Sequence, residues 1–376
     1  MSKNPIRVAE VMGKMLGGGV EAVVMNYYRH VDRSRVQFDF LVDSDSTLVP
    51  REEIESLGGR VFFVPPYQRQ LAYQRELVNL FRKYRWPIVH SHVNALSVFP
   101  LRAAKKAGVP VRIAHSHSTS GKGEPIKNVI KTMLRSFSSV YSTQHFACSK
   151  YAGEWLFGQN AAFEVVYNAI ELNRFSFNKE IRAQVRADFS LTDEQLVIGH
   201  LGRFIPQKNH FFLLEAFAEI AQHRDDVVLL LAGDGEQKHL AESWVAQHNL
   251  SDRVRFLGQR KDADKLYQAF DVFVLPSLYE GLCLVGIEAQ AAGLPCLLSD
   301  AITREVDVTG LCRFLPINDS KAWTDAVCAL RPKTNAERAG VDRTKFTNYD
   351  IEQQGARLTD RYLGLAKRAG VAIDEF

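Results

Sequence analysis

Two glutamates carry the clearest chemical signal in the chain. Glu280 and Glu288, with seven residues between them, lie in the stretch SLYEGLCLVGIEAQAAGLPCLLSD, residues 277–300. The preceding run DVFVLPS reads as a buried strand, LVGIEAQAA as a short helix closed by Gly293 and Pro295, and PCLLSD as another strand. This is a strand–loop–helix–strand unit of a parallel sheet, with Glu280 in the loop and Glu288 inside the helix. Gly281 allows a ligand close to the backbone. The helix N-terminus, through the N–H groups of Leu282, Cys283 and Leu284, suits a phosphate. Carboxylates beside such a site are placed to accept hydrogen bonds from sugar hydroxyls rather than to touch phosphate. A bare pair at this spacing is ordinarily a capping Glu and a solvated helix Glu, so the surrounding residues must decide.

Other segments add to the pattern. GRFIPQKN puts Arg203 and Lys208 beyond the strand LVIGHL. VVLLLAGDGEQ ends a strand on Gly233-Asp234-Gly235, which is not a full dinucleotide fingerprint. The first strand, IRVAEVMG, runs into a triple glycine, Gly17 to Gly19, and an amphipathic helix. PIVHSH ends on His90 and His92, and VRIAHSHSTS on His115 and His117. Alternation sends His115 and His117 to one face of their strand. A lone histidine is usually structural; two pairs at adjacent strand ends are harder to dismiss in a fold that takes ligands at carboxyl strand ends.

In the setting YEG…EAQAAGLP, the Glu280/Glu288 pair resembles the donor-sugar signature of retaining GT-B glycosyltransferases of the family-four type, closest to exopolysaccharide- and capsule-type members. The resemblance takes in nearly the whole chain. It implies two Rossmann-like, doubly wound parallel-sheet α/β domains facing across a cleft. The acceptor-side domain would span 1–172, with a last helix from about 357 packing back on it, and the nucleotide-sugar domain 173–356. Asn168-Ala169-Ile170 stands where Asn-Gly-Ile is commoner between the domains. By resemblance, Arg203 and Lys208 hold the diphosphate, Glu280 orients the donor sugar and Glu288 accepts from the ribose. Gly18, Gly19, Gly233, Asp234 and Arg260 line the donor site, with Arg260 near the base through backbone. His117 is the matching histidine of the catalytic region, and His115 and His92 are acceptor-side candidates. The expected reaction is glycosyl transfer with retention from a nucleotide sugar, UDP-linked ahead of GDP- or ADP-linked. The expected acceptor is a lipid-linked or oligosaccharide chain in cell-surface polysaccharide synthesis. No cofactor and no metal are expected. Asp43-Ser44-Asp45 spells the metal motif of a different glycosyltransferase fold but reads here as a strand end. A sugar-nucleotide epimerase of the same fold, or a silent partner of an active transferase, are the alternatives.

Composition agrees with this class. The chain has 376 residues, 46% apolar and 24% charged, enough for two cores. No apolar run nears the ~20 residues of a membrane span, and residues 1–5 lead directly into the first strand, so no leader is expected. The five cysteines are odd in number and form no Cys-x-x-Cys pair, which reads as reduced core thiols and a cytoplasmic setting. The net charge of +4 is unevenly spread: residues 1–170 carry 22 Lys and Arg against 13 Asp and Glu. That asymmetry suits an anionic partner or an ordinary solvated surface. Lys127, Lys131 and Arg135 form one stripe of an expected amphipathic helix over 125–137, a candidate for peripheral contact with the inner face of a membrane. No aromatic–basic reading motif points to nucleic acid. The terminal helix, YDIEQQGARLTDRYLGLAKRAG, is expected to break at Gly355.

Overall fold

The computed structural model describes residues 4–117, 133–135 and 137–372. The chain divides into two compact units, one holding residues up to Ala169 together with those from Asn348 onward, the other Ile170–Thr347. The first unit is built on a sheet of seven strands: β1 (Ile6–Gly13), β2 (Val36–Asp43), β3 (Arg60–Val64), β4 (Ile88–Ser91), β5 (Val111–Ser116), β6 (Gln144–Ala147) and β7 (Glu164–Val165). Their order is β3-β2-β1-β4-β5-β6-β7, and every neighbouring pair is parallel. The second unit repeats the plan with β8 (Leu196–Leu201), β9 (Val227–Ala232), β10 (Val254–Gly258), β11 (Val272–Leu275), β12 (Cys296–Ser299) and β13 (Cys312–Leu315). Its order is β10-β9-β8-β11-β12-β13, again all parallel.

Helices cover both faces of a parallel sheet, so its central strands are apolar throughout rather than alternating. β8, β9 and β11 are buried at every position. β2 is buried throughout as well, including Asp39. That carboxylate is held by the guanidinium groups of Arg7 and Arg60 and by the indole N–H of Trp86 at 2.6 Å, as a buried charge requires. In each sheet the strand order reverses direction once, between β1 and β4 and between β8 and β11. These reversals create crevices at the carboxyl ends of the strands, where doubly wound folds bind ligands.

The last helix, Ile351–Arg368, is continuous through Gly355, contrary to the break expected from sequence. Gly355 is there for closeness. A Cβ at this position would sit 2.6 Å from the carbonyl oxygen of His30, the last residue of the helix Gly19–His30. The two helices are further tied by the N–H of Asp32 donating to Thr359 Oγ1 at 3.0 Å, and Arg361 reaches Glu164 at 2.5 Å. Among the described residues no helix is long and apolar enough to cross a membrane. The basic stripe expected over 125–137 falls mostly outside the described residues; of its cations only Arg135 is placed, over the ring of Trp155. The described cysteines are all free thiols.

Candidate active site

In the second unit, the loops after β8 and β11 meet at the sheet's reversal. After β11 the chain turns through Tyr279-Glu280-Gly281, and the helix Leu284–Ala291 begins at the Cys283 cap. After β8 it makes a short 3-10 turn, Pro206–Lys208. The N–H of Leu278 donates to the Gln207 carbonyl at 2.8 Å, and the Gln207 amide donates back to Tyr279 O at 2.9 Å. Lys208 Nζ donates to Glu280 Oε1 at 2.6 Å, with both side chains largely buried. Two residues singled out separately from the sequence, 72 positions apart, thus form one charge pair in the fold. Arg203, in contrast, is exposed just beyond β8.

Glu288 faces a different neighbour. Tyr267 donates its phenol proton to Glu288 Oε2 at 2.8 Å. Burial pushes the Glu288 carboxyl up to about 7, opposed by that hydrogen bond and by the Arg174 guanidinium. Tyr267 and Arg174 were not singled out from sequence; only their spatial contact marks them. Arg260 is paired with Asp262 through two bonds, 2.8 and 2.7 Å.

The Gly233-Asp234-Gly235 turn packs under the β8 loop. The Phe204 N–H donates to Asp234 O at 3.0 Å. Gly233 has φ +147°, and a Cβ there would lie 1.9 Å from the Gly202 carbonyl oxygen; at Gly235, φ +153°, it would lie 2.6 Å from that of Phe204. These glycines let the ends of β8 and β9 touch backbone to backbone. The same loop covers two buried histidines. His200 bonds Val274 O at 2.9 Å, and the His210 ring stacks on Phe204 at 3.9 Å. Burial lowers both, His200 to about 4 and His210 to about 2.

In the first unit the reversal holds a denser constellation. Glu10 on β1 pairs in register with His90 on β4. Glu10 Oε2 lies 2.7 Å from His92 Nε2, and Tyr362 of the last helix donates to Glu10 Oε1 at 3.1 Å. His92 Nδ1 is 2.8 Å from His117 Nε2. The Tyr362 oxygen is 2.6 Å from His90 Nδ1, and His90 Nε2 is 3.0 Å from His115 Nδ1. The expectation that His115 and His117 share a face holds: their rings stack at 3.9 Å. All six side chains are buried, around a cavity of about 20 Å³. Burial drives all four histidines down, His92 to about 3, and pushes Glu10 up to about 8 against the Tyr362 hydrogen bond. Each of these histidines is neutral at ordinary pH, so the cluster is a polar relay rather than a cationic patch.

No metal is expected from the sequence; in the fold, His90, His92 and His115 bring ring nitrogens within 4.8 Å of one another. Both nitrogens of His90 and of His92 already have hydrogen-bond partners, so ligation would have to dismantle the relay. In the glycine loop, where Gly18 and Gly19 are expected at the donor site, the Glu21 carboxylate accepts from the N–H groups of Leu16, Gly17 and Gly18 at 2.8, 2.5 and 2.8 Å. Gly19 keeps open space at its Cβ position. Of the Asp-Ser-Asp motif, Asp43 closes β2 and is pushed up to about 6 by burial, while Asp45 pairs with Lys14 at 2.8 Å.

Comparison with known proteins agrees with this geometry. Residues 17–174 match the model described as Glycosyltransferase Family 4, and residues 195–331 the model described as Glycosyl transferases group 1. The chain is 37% identical over 374 residues to "Putative glycosyltransferase EpsF" of Bacillus subtilis (strain 168), covering 96% of this chain and 97% of that one. It is 30% identical over 315 residues to the "UDP-Gal:alpha-D-GlcNAc-diphosphoundecaprenol alpha-1,3-galactosyltransferase" of Escherichia coli, covering 78% and 79%. Among solved structures, Anabaena Alr3699/HepE in complex with UDP and glucose superposes with a TM-score of 0.78 at 19% identity, covering 96% of this chain and all of that one. With two all-parallel doubly wound units, and a relative this similar along nearly its whole length, the chain belongs to the group 1, family 4 glycosyltransferases of the GT-B fold.

Proposed function

We propose that this protein transfers a hexosyl or N-acetylhexosaminyl unit, with retention of configuration, from a UDP-linked sugar to a lipid-linked oligosaccharide in cell-surface polysaccharide synthesis. The observation that carries the reading is the Lys208–Glu280 pair at the open ends of β8 and β11, beside the N-terminus of the Leu284–Ala291 helix. A diphosphate fits there because the Lys208 ammonium, the Arg203 guanidinium and the N–H groups of Leu282 to Leu284 are all donors. Glu280, held by Lys208, then faces the sugar hydroxyls, and Glu288, steadied by Tyr267, the ribose. As the glycosidic bond breaks, charge builds on the leaving diphosphate, and preorganised cations stabilise it. The leaving phosphate itself takes the acceptor proton, so no enzymic nucleophile is required. Fixed cations also remove the need for a metal or other cofactor.

The choice of UDP is supported by solved neighbours that hold UDP, UDP with glucose, or UDP-glucose. The lipid-linked acceptor is supported by the name of the Escherichia coli relative, which specifies a diphosphoundecaprenol substrate. A cytoplasmic setting with reversible docking on anionic lipid completes the reading. The test is incubation with a panel of UDP-, GDP- and ADP-sugars and a polyprenyl-diphosphate-linked sugar, with the anomeric configuration of the product read by NMR. Transfer from a UDP-sugar with retained configuration is expected. Inverted product, or a strict preference for GDP or ADP, overturns the corresponding part. Sugar interconversion without acceptor would identify an epimerase instead.

A further inference from the structure

The relay around Glu10 fixes more than ring positions. A neutral imidazole has one donor nitrogen and one acceptor nitrogen, and its partners decide which is which. Take Glu10 as a carboxylate, which only accepts. His92 must then donate through Nε2, leaving His92 Nδ1 to accept from His117 Nε2–H. His117 Nδ1 is left bare. On the other arm Tyr362 donates to Glu10 Oε1, so its oxygen accepts from His90 Nδ1–H. His90 Nε2 then accepts from His115 Nδ1–H, and His115 Nε2 is left bare. The two nitrogens that this logic leaves bare, His117 Nδ1 and His115 Nε2, are the buried ring nitrogens of the cluster with no hydrogen-bond partner among the described residues.

We infer that Glu10 is a positioning residue that sets the tautomers of all four histidines: with its carboxyl ionised, His115 and His117 together present two bare acceptor nitrogens to a ligand bringing hydroxyl hydrogens. The inference rests on the glycosyl-transfer reading above, with His117 in the catalytic region and His115 on the acceptor side. The cavity among them, about 20 Å³, admits a water or one hydroxyl group, either of which brings a hydrogen, whereas a phosphate oxygen brings none to share. Leaving both unmet in a buried site is costly, on the scale that makes a satisfied polar group discriminating.

The carboxyl's own proton is a switch on this arrangement. A proton on Oε2 reverses the His92–His117 arm and turns His117 Nδ1 into a donor; a proton on Oε1 reverses the Tyr362–His90–His115 arm. Either way one acceptor becomes a donor. The groups that face Glu10 and its relay are His90 and His92 from the β4 end, His115 and His117 from the β5 end, Tyr27 from the first helix, and Tyr362 with Arg361 from the last. A glutamine at position 10 mimics the protonated acid, with one acceptor oxygen and one donor nitrogen.

Long-range ¹H–¹⁵N spectra of the ¹⁵N-histidine-labelled protein test this without any substrate, with resonances assigned by single His→Gln variants. At pH 9 the wild type should show His92 and His117 protonated at Nε2, and His90 and His115 at Nδ1. Glu10→Gln should reverse one arm, at every pH. Tyr362→Phe should leave the His92–His117 order intact while freeing His90 and His115. A proton on His117 Nδ1 or His115 Nε2 in the wild type at pH 9 overturns the inference, as does a Glu10→Gln spectrum with all four tautomers unchanged. If Glu10→Gln does not fold, the wild-type and Tyr362→Phe spectra decide alone. Because tautomers are read in the free protein, their failure leaves the glycosyl-transfer reading standing, and failure of that reading leaves the tautomers standing.

Discussion

Removing Lys208 should separate two roles that share one atom. Its ammonium lies 2.6 Å from Glu280, with the two side chains 16% and 11% exposed. At an effective dielectric constant of ~20 the gross attraction is roughly 6 kcal/mol. Much of that offsets the desolvation of both charges, so the pair itself adds little net stability. Lys208→Met, however, leaves the Glu280 carboxylate enclosed without a counter-charge. The expected cost is about 2–3 kcal/mol, below the range for fully buried pairs because some solvent reaches both groups. For a unit of this size that lowers the melting temperature by roughly 4–12 °C. Lys208→Met/Glu280→Gln should recover most of the lost stability, since neither charge remains. Turnover behaves differently, because loss of one preorganised cation lowers it at least ~100-fold. Urea denaturation and initial-rate assays on the two single variants and the double variant give both readouts. A double variant that regains turnover along with stability would refute the phosphate role and leave Lys208 a partner of Glu280 alone. Near-normal turnover in Lys208→Met would do the same.

The Glu288 carboxyl, raised to about 7 from the ordinary 4.5, gives stability that is full below pH ~4.5 and is lost as pH rises through 7. Glu288→Gln should flatten that fall, worth up to ~3 kcal/mol, in urea titrations between pH 4.5 and 8; an unchanged slope would exclude Glu288 as its source. UDP binding, measured by calorimetry, should strengthen from pH 6 to 8 in the wild type as the carboxylate forms, and lose that trend in Glu288→Gln. Gly355→Ala presses a methyl against the His30 backbone, so thermal unfolding should show a loss of about 1–3 kcal/mol. Glycosyl transfer should survive EDTA; strict dependence on added manganese or magnesium would instead direct attention to Asp43, Asp45 and the histidine cluster. Wild-type protein should co-sediment with anionic vesicles at low salt and release at high salt, with each basic residue near the surface contributing ~1 kcal/mol; Lys127/Lys131/Arg135→Ala binding equally well would remove that stripe from the interaction.

The second unit was the more legible of the two because its chemistry is local. Glu280 and Glu288 belong to one strand–loop–helix, and Arg203 and Lys208 to one loop, so the elements that hold them are readable from the sequence, while the roles expected of them came from the family resemblance. What joins the two segments, the Lys208–Glu280 contact, depends on β8 and β11 lying side by side. In the first unit, alternation gave the shared face of His115 and His117, but Glu10 was invisible. A single acidic residue in IRVAEVMG looks like any strand residue until Tyr362, 352 positions later, is set beside it. Gly355 failed in the opposite direction. Glycine weakens a helix by roughly 1 kcal/mol, which argues for a break when no neighbour is known. The neighbour, the carbonyl of His30, is the reason the glycine is there. In the glycine loop the sequence shows the open backbone of glycine but not that the Glu21 carboxylate folds back onto the N–H groups of Gly17 and Gly18.

The last helix also has a consequence for biosynthesis. The first unit has all seven strands of its sheet by Ala169, but Tyr362 and the helix that carries it leave the ribosome about 190 residues later. At typical translation rates of ~5–20 residues per second, that interval is roughly 10–40 s. Throughout it, Glu10 lacks one of its two hydrogen-bonding partners, and the apolar surface of the Gly19–His30 helix lacks its cover. The second unit, continuous in sequence from Ile170 to Thr347, has no such wait. The later-made unit can therefore close before the earlier-made one, which is complete only once the segment from Asn348 onward has been made.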